Sequence, residues 1–186
     1  MGLVYLVQHA EKDAAPGDPG LTDIGQEQAR SVARWIKTRD VRRLFSSPLR
    51  RARETAEAIA RELNLAVTLD PRLRERVNWD GTCAFETFLA DWRESVRDRD
   101  FIPPNGDSSR QAGERMRAFL EDISAQHGAV VAVTHGGVTT DLLRTLLGGH
   151  KLSPRLLHDG VPPCAVTTAT DMKITEIASV AHLRSP

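Results

Sequence analysis

The most constraining feature of this chain is a pair of short, uninterrupted apolar runs that each end abruptly at a histidine. Ala129-Val130-Val131-Ala132-Val133 runs into Thr134-His135-Gly136-Gly137, and Leu3-Val4-Tyr5-Leu6-Val7 runs into Gln8-His9-Ala10. A strand that is apolar at every position buries both faces, which is the pattern of a parallel sheet covered by helices on either side. Helical patterns alternate with such runs along the chain. After Thr22, an N-cap residue, Ala29, Val32, Ala33 and Ile36 fall on one helical face. Positions 42–46 read as a second strand. Pro48 then begins a helix with Ala52, Ala56, Ile59, Ala60 and Leu63 on one side. Positions 65–69 read as an outer strand, 85–98 and 110–126 as helices, and 129–133 as the strongest strand. Val138, Leu142, Leu143 and Leu146 mark a helix stopped by Gly148-Gly149, and strands are expected at about 164–169 and 173–178. The expectation is one α/β domain over 1–186, with a mostly parallel central sheet and helices on both faces.

Composition excludes several function classes. Among 186 residues, Lys plus Arg and Asp plus Glu both number 25. This balance argues against a general nucleic-acid or membrane-surface binder and leaves room for a local basic site. The apolar runs fall far short of the ~20 residues a membrane span needs. Met1 to Val7 has no basic start and no cleavage signal, so no signal peptide is expected. Cys83 and Cys164 have no pairing pattern and fit reduced thiols, so a cytoplasmic setting is expected. No His or Cys spacing makes a zinc site. Trp35, Trp79 and Trp92 read as packing residues.

Ligands of open α/β sheets bind beyond the carboxyl ends of the strands. His9 and His135 stand there together. Gly136-Gly137 opens a helix after His135, where backbone N–H groups and the helix dipole favour an anion. Ser46-Ser47-Pro48-Leu49-Arg50-Arg51-Ala52-Arg53 also follows a strand and opens a helix. The spacing separates Arg51 from Arg50 and Arg53, so at least one guanidinium can reach the site, and its planar fork suits phosphate.

These segments, with Leu21-Thr22-Asp23-Ile24-Gly25, Glu54-Thr55-Ala56 and Leu73-Arg74-Glu75, resemble the histidine phosphatase superfamily, the phosphoglycerate-mutase-like group. The resemblance runs from residue 3 to about 182. It implies a three-layer α/β sandwich with a short lid insertion at about 77–108. It assigns His9 as the nucleophile that becomes phosphohistidine and Arg51 as the phosphate clamp. His135 is the second pocket histidine, and Glu75 is the acid and base for the leaving oxygen and the water. Gln8, Gly136 and Thr22 join Arg51 and His135 as phosphate-binding positions. No metal or other cofactor is implied. The expected partner is a small phosphorylated substrate, with no nucleic acid and no membrane, and a homodimer left open.

One position departs from the family pattern. The family's Arg-His-Gly is Gln8-His9-Ala10 here. A neutral amide replaces a fixed charge, and removing one positioned donor of this kind lowers rate by ~10²–10³. Lys12, Arg50 and Arg76 are nearby cations that can compensate. The leading expectation is a metal-independent phosphomonoester phosphatase weakened by Gln8. A phosphoglycerate-mutase-type phosphotransferase and a non-catalytic phosphate binder stay open as alternatives. The short lid favours the phosphatase, and the substrate is not legible.

Overall fold

A computed structural model describes residues 2–125 and 128–183. Six strands form one sheet: β1 (Leu3–Gln8), β2 (Val41–Ser46), β3 (Val67–Leu69), β4 (Ala129–Thr134), β5 (Val166–Thr170) and β6 (Lys173–Ser179). Their order is β3-β2-β4-β1-β5-β6. The β1–β4, β2–β4 and β2–β3 pairs are parallel, whereas β5 and β6 add an antiparallel edge. The helices are α1 (Asp23–Lys37), α2 (Arg50–Leu63), α3 (Phe85–Arg97), α4 (Ser109–Ser124), α5 (Gly136–Leu147) and α6 (Pro154–Asp159). The α/β class and the mostly parallel sheet agree with the sequence.

The strict alternation of β1 and β4 separates two cores. Tyr5, Val7, Val131 and Val133 pack with Ala29, Val32 and Ile36 of α1 and with Ala52, Ala56 and Ile59 of α2. Val4, Leu6, Val130 and Ala132 pack with Met116, Phe119 and Leu120 of α4 and with Val138 and Leu142 of α5. Both faces of the sheet are therefore covered, as the continuous apolar runs require.

Boundaries differ from the sequence pattern for identifiable reasons. Asn64 takes a left-handed conformation at φ 52°, and Leu65 N–H bonds back to Ala60 O, so 64–65 close α2 and β3 starts only at Val67. The helix expected from Pro48 starts at Arg50, because Ser47 to Leu49 form an extended turn and Asp18 Oδ1 caps Arg50 N–H at 2.8 Å. The hydrophobic pattern does not reveal α6, although Ser153 caps it and Pro154 opens it. Position 126, the expected end of α4, lies outside the described residues.

Phe119 is fully buried and meets Phe45 edge-on, with ring centroids 5.5 Å apart. Phe119→Ala should lower stability by ~3–5 kcal/mol in urea unfolding, because the sheet and α5 hold the cavity open.

Candidate active site

The register of β1 on β4 pairs Gln8 with Thr134, so the next residues, His9 and His135, emerge side by side at the sheet's carboxyl edge. Their ring centroids lie 5.1 Å apart. Backbone bonds hold His9 on both sides: its N–H donates to Thr134 O at 2.9 Å, and its carbonyl accepts from Cys164 N–H at 3.1 Å. From α2, Thr55 Oγ1 accepts from Ala10 N–H and donates to Arg51 O. This ties the histidine loop to the helix that carries the arginine.

Hydrogen bonds fix the state of the His9 ring. Nδ1 lies 2.7 Å from Ala10 O, a pure acceptor, and Nε2 lies 3.2 Å from Arg51 Nε, a pure donor. The proton therefore sits on Nδ1 and the lone pair on Nε2, facing Arg51. Burial lowers the His9 pKa to about 3, with the Arg51 charge as the next cause. The His135 pKa is also held well below the usual range by burial and then by Arg51. Its Nε2 lies 2.7 Å from Ser47 Oγ.

His9, Arg51, Glu75 and Lys12 line one cavity of about 310 Å³. The Glu75 carboxylate caps α5, accepting from Gly137 N–H at 3.0 Å, Val138 N–H at 2.8 Å and Arg76 N–H at 2.9 Å. An anion does occupy this helix start, as expected, and it is the chain's own carboxylate. A Cβ on Gly137 would sit 2.6 Å from Glu75 Oε1, so glycine there permits the cap. Arg51 is 3 % exposed. Among the described residues, Arg51 Nη1, His135 Nδ1 and Gln8 Oε1 are buried without a hydrogen-bond partner. Of these, Arg51 Nη1 is a donor beside the cavity, the polarity of an anion site, whereas Gln8 Oε1 is an acceptor.

Several expected positions stand elsewhere. Thr22 Oγ1 accepts from Gly25 N–H to cap α1 and donates to Glu11 Oε1 at 2.8 Å; it does not line the cavity. Gly136 is glycine because a Cβ would meet Val161 O at 2.6 Å; its place is explained by packing. Gln8 lies on the α5 face of the sheet, its Nε2 3.5 Å from that same Cβ position. Two of the three nearby cations are committed: Arg50 pairs with Glu54 at 2.7 Å, and buried Arg76 pairs with both oxygens of Asp141 at 2.9 Å. Only Lys12 of the three lines the cavity with His9, and burial followed by the Arg51 charge lowers its pKa.

Trp79 and Trp92 are not simple packing residues. With Phe85, Phe88 and Leu89 they wall the cavity. The spacing of 85, 88 and 92 along one face of α3 was the available signal. Among the described residues, no three His, Cys, Asp or Glu side chains are placed to hold a metal ion, and no helix is long and apolar enough to cross a membrane.

This arrangement has known relatives. The chain belongs to the histidine phosphatase superfamily (branch 1), whose family model matches residues 4–173. It is 34 % identical over 165 residues to a probable phosphoglycerate mutase GpmB of Photorhabdus laumondii, covering 78 % of this chain and 74 % of that one. It is 32 % identical over 164 residues to a putative phosphoserine phosphatase 2 of Hydrogenobacter thermophilus, covering 80 % of each. Among solved structures, a mycobacterial glucosyl-3-phosphoglycerate phosphatase with VO3 superposes with a TM-score of 0.74 at 25 % identity, covering 92 % of this chain and 94 % of that one.

The buried histidines set a pH dependence. The unfolded chain protonates each near pH 6.5, whereas the folded chain holds both neutral. Their contribution is complete above pH 6.5 and is lost as pH falls toward the His9 value of about 3. Unfolding free energies from urea titrations should drop between pH 7 and 5.5 with a slope of up to ~1.4 kcal/mol per pH unit for each histidine. His9→Gln should flatten that slope, and an unchanged slope would contradict burial as its cause.

Proposed function

We propose that the protein hydrolyses phosphomonoesters through a phosphohistidine on His9, with no metal in the reaction. The single observation that carries this reading is the His9 ring, held neutral with its Nε2 lone pair beside Arg51 in the cavity. A neutral imidazole is a good nucleophile at neutral pH, and splitting the transfer in two lowers each barrier.

His9 Nε2 attacks phosphorus, and the bond from phosphorus to the leaving oxygen breaks. Glu75 carries the proton that this oxygen takes up. Arg51 moves from Nε2 to the phosphoryl oxygens and presents Nη1 as well, which has no hydrogen bond and only a 3.9 Å ion-pair contact with Asp18. His135 Nε2 shares a hydrogen bond with the Ser47 hydroxyl; with that hydroxyl as donor, the ring proton sits on Nδ1, the nitrogen without a protein partner, and is offered to the same oxygens. In the second half, water attacks phosphorus, Glu75 takes its proton, the phosphorus–nitrogen bond breaks and neutral His9 returns.

Hydrolysis is favoured over the mutase alternative by the cavity's charge. Among the described residues, Lys12 and Arg51 are its lining cations, enough for one phosphoryl group. A mutase must hold two. Relatives named as mutases and as phosphatases both occur, so the choice rests on the cavity's charge.

With EDTA present, wild-type protein should hydrolyse phosphomonoesters and His9→Ala should fall to background. An alkaline quench during turnover should leave acid-labile phosphate on the peptide containing His9. Label on serine or cysteine, or hydrolysis that survives His9→Ala, would overturn the reading.

Lys12 supplies part of the charge that Gln8 lacks, and the site remains weaker than one with an arginine at position 8. Gln8→Arg should raise kcat by ~10-fold or more, a conservative share of one donor's effect, and Lys12→Met should lower kcat/KM by ~10–100-fold. In the Gln8→Arg background the Lys12→Met loss should shrink. Equal losses in both backgrounds would show that the two positions serve different groups.

A further inference from the structure

We propose that the cavity selects phosphomonoesters with an apolar, planar leaving group, an aryl or arylalkyl phosphate, over phosphorylated hydroxy or amino acids. The proposal rests on the phosphohistidine reading and adds the part of the substrate beyond the phosphate.

The cavity that His9 lines carries an aromatic series. Trp79 and Phe85 have ring centroids 4.9 Å apart, Phe85 and Phe88 stack at 6.2 Å, and Phe88 and Trp92 are also 6.2 Å apart. Phe85 is 45 % exposed, so a bound apolar group removes surface that water now covers. The wall is anchored. Gly17 N–H donates to Trp79 O at 2.9 Å, and Asn78 Nδ2 donates to Gly17 O, which joins the wall to the loop before Pro19. Trp92 lies against Arg76, whose guanidinium carbon is 3.9 Å from its ring centroid.

Charge argues the same way. A phosphorylated hydroxy or amino acid brings a carboxylate next to its phosphate. Binding both requires a cation beyond the phosphoryl clamp. Among the described residues, the cavity's cations are Arg51 and Lys12, both on the phosphoryl side in this reading. Arg76, which stacks on Trp92, is committed to Asp141, and Arg74 to Asp107 at 2.7 Å. A second carboxylate would enter a wall of aromatic side chains, and an unpaired charge in such a place is disfavoured. An aromatic ring instead meets offset or edge-on partners on this wall. The relatives named for phosphoserine and for a glucosyl phosphoglycerate have substrates that carry a carboxylate, so this chain diverges from them in the leaving group it accepts.

The test compares kcat/KM for 2-phenylethyl phosphate, phosphoserine and 3-phosphoglycerate. All three are alkyl phosphates, which avoids the bias of an activated phenol. Wild-type protein should favour 2-phenylethyl phosphate by ~10-fold or more, a selectivity within the range of small apolar pocket differences. Phe88→Arg places a cation in the wall and should lower the ratio of 2-phenylethyl phosphate to phosphoserine by ~10-fold. Phe85→Ala, at an exposed position, should lower it in the same direction, mostly through KM. A ratio taken within one variant does not depend on how much protein is folded. Equal or faster hydrolysis of phosphoserine or 3-phosphoglycerate by wild type would overturn the substrate class while leaving phosphohistidine chemistry intact. No hydrolysis of any ester, with no label on His9, would remove the underlying reading and this proposal together.

Discussion

The site depends on one backbone interaction, the parallel pairing of β1 with β4 in the register that sets Gln8 opposite Thr134. A slip of one residue would turn every side chain of β1 to the other face. Val4 and Leu6 would exchange cores with Tyr5 and Val7, and His9 would leave its neighbour. The two hydrophobic cores therefore hold the histidine pair in place, although no core residue of these strands lines the cavity. Core packing above and below the sheet is what makes the strand ends a rigid platform.

Once the register is set, burial decides the chemistry. His9 and His135 are enclosed with Arg51, and enclosure disfavours a charged imidazole. The positive charge of the site then resides on Arg51 and Lys12, and His9 keeps a lone pair. Glu75 adds a carboxylate anchored by the first turn of α5 rather than by a side-chain partner. The result is an uncharged imidazole, fixed cations and an oriented carboxyl around one cavity. This division of charge is what the proposed phosphoryl transfer uses.

The fold was largely legible because β1 and β4 are apolar at every position and the helices between them carry clear one-sided patterns. Errors gathered where local chemistry overrode pattern. Asn64 closes α2 through a left-handed turn that hydrophobic spacing does not encode, and Asp18, distant in sequence, caps the start of the same helix. At the site, His9, Arg51, Glu75 and His135 were named as a set from family-like segments, and the fold gathers His9, Arg51 and Glu75 at one cavity with the His135 ring beside His9. Geometry separated Thr22 from them, since a cap residue before a helix looks the same in sequence whether its hydroxyl binds a ligand or Gly25. The aromatic wall was underread for a similar reason. A tryptophan's hydropathy does not say whether it faces a core or a cleft, and only Phe85, Phe88 and Trp92 taken together show the shared face of α3. Lys12 was one of three equivalent cations until the ion pairs of Arg50 and Arg76 set it apart.

The most direct measurement of the central claim is a crystal structure of the protein soaked with orthovanadate, which adopts the geometry of phosphorus under attack. The account predicts vanadium bonded to His9 Nε2, with equatorial oxygens within hydrogen-bond reach of Arg51 and His135 and the apical oxygen facing Glu75. Vanadate bonded to another side chain, or held in the cavity with Arg51 still on His9 Nε2, would contradict it.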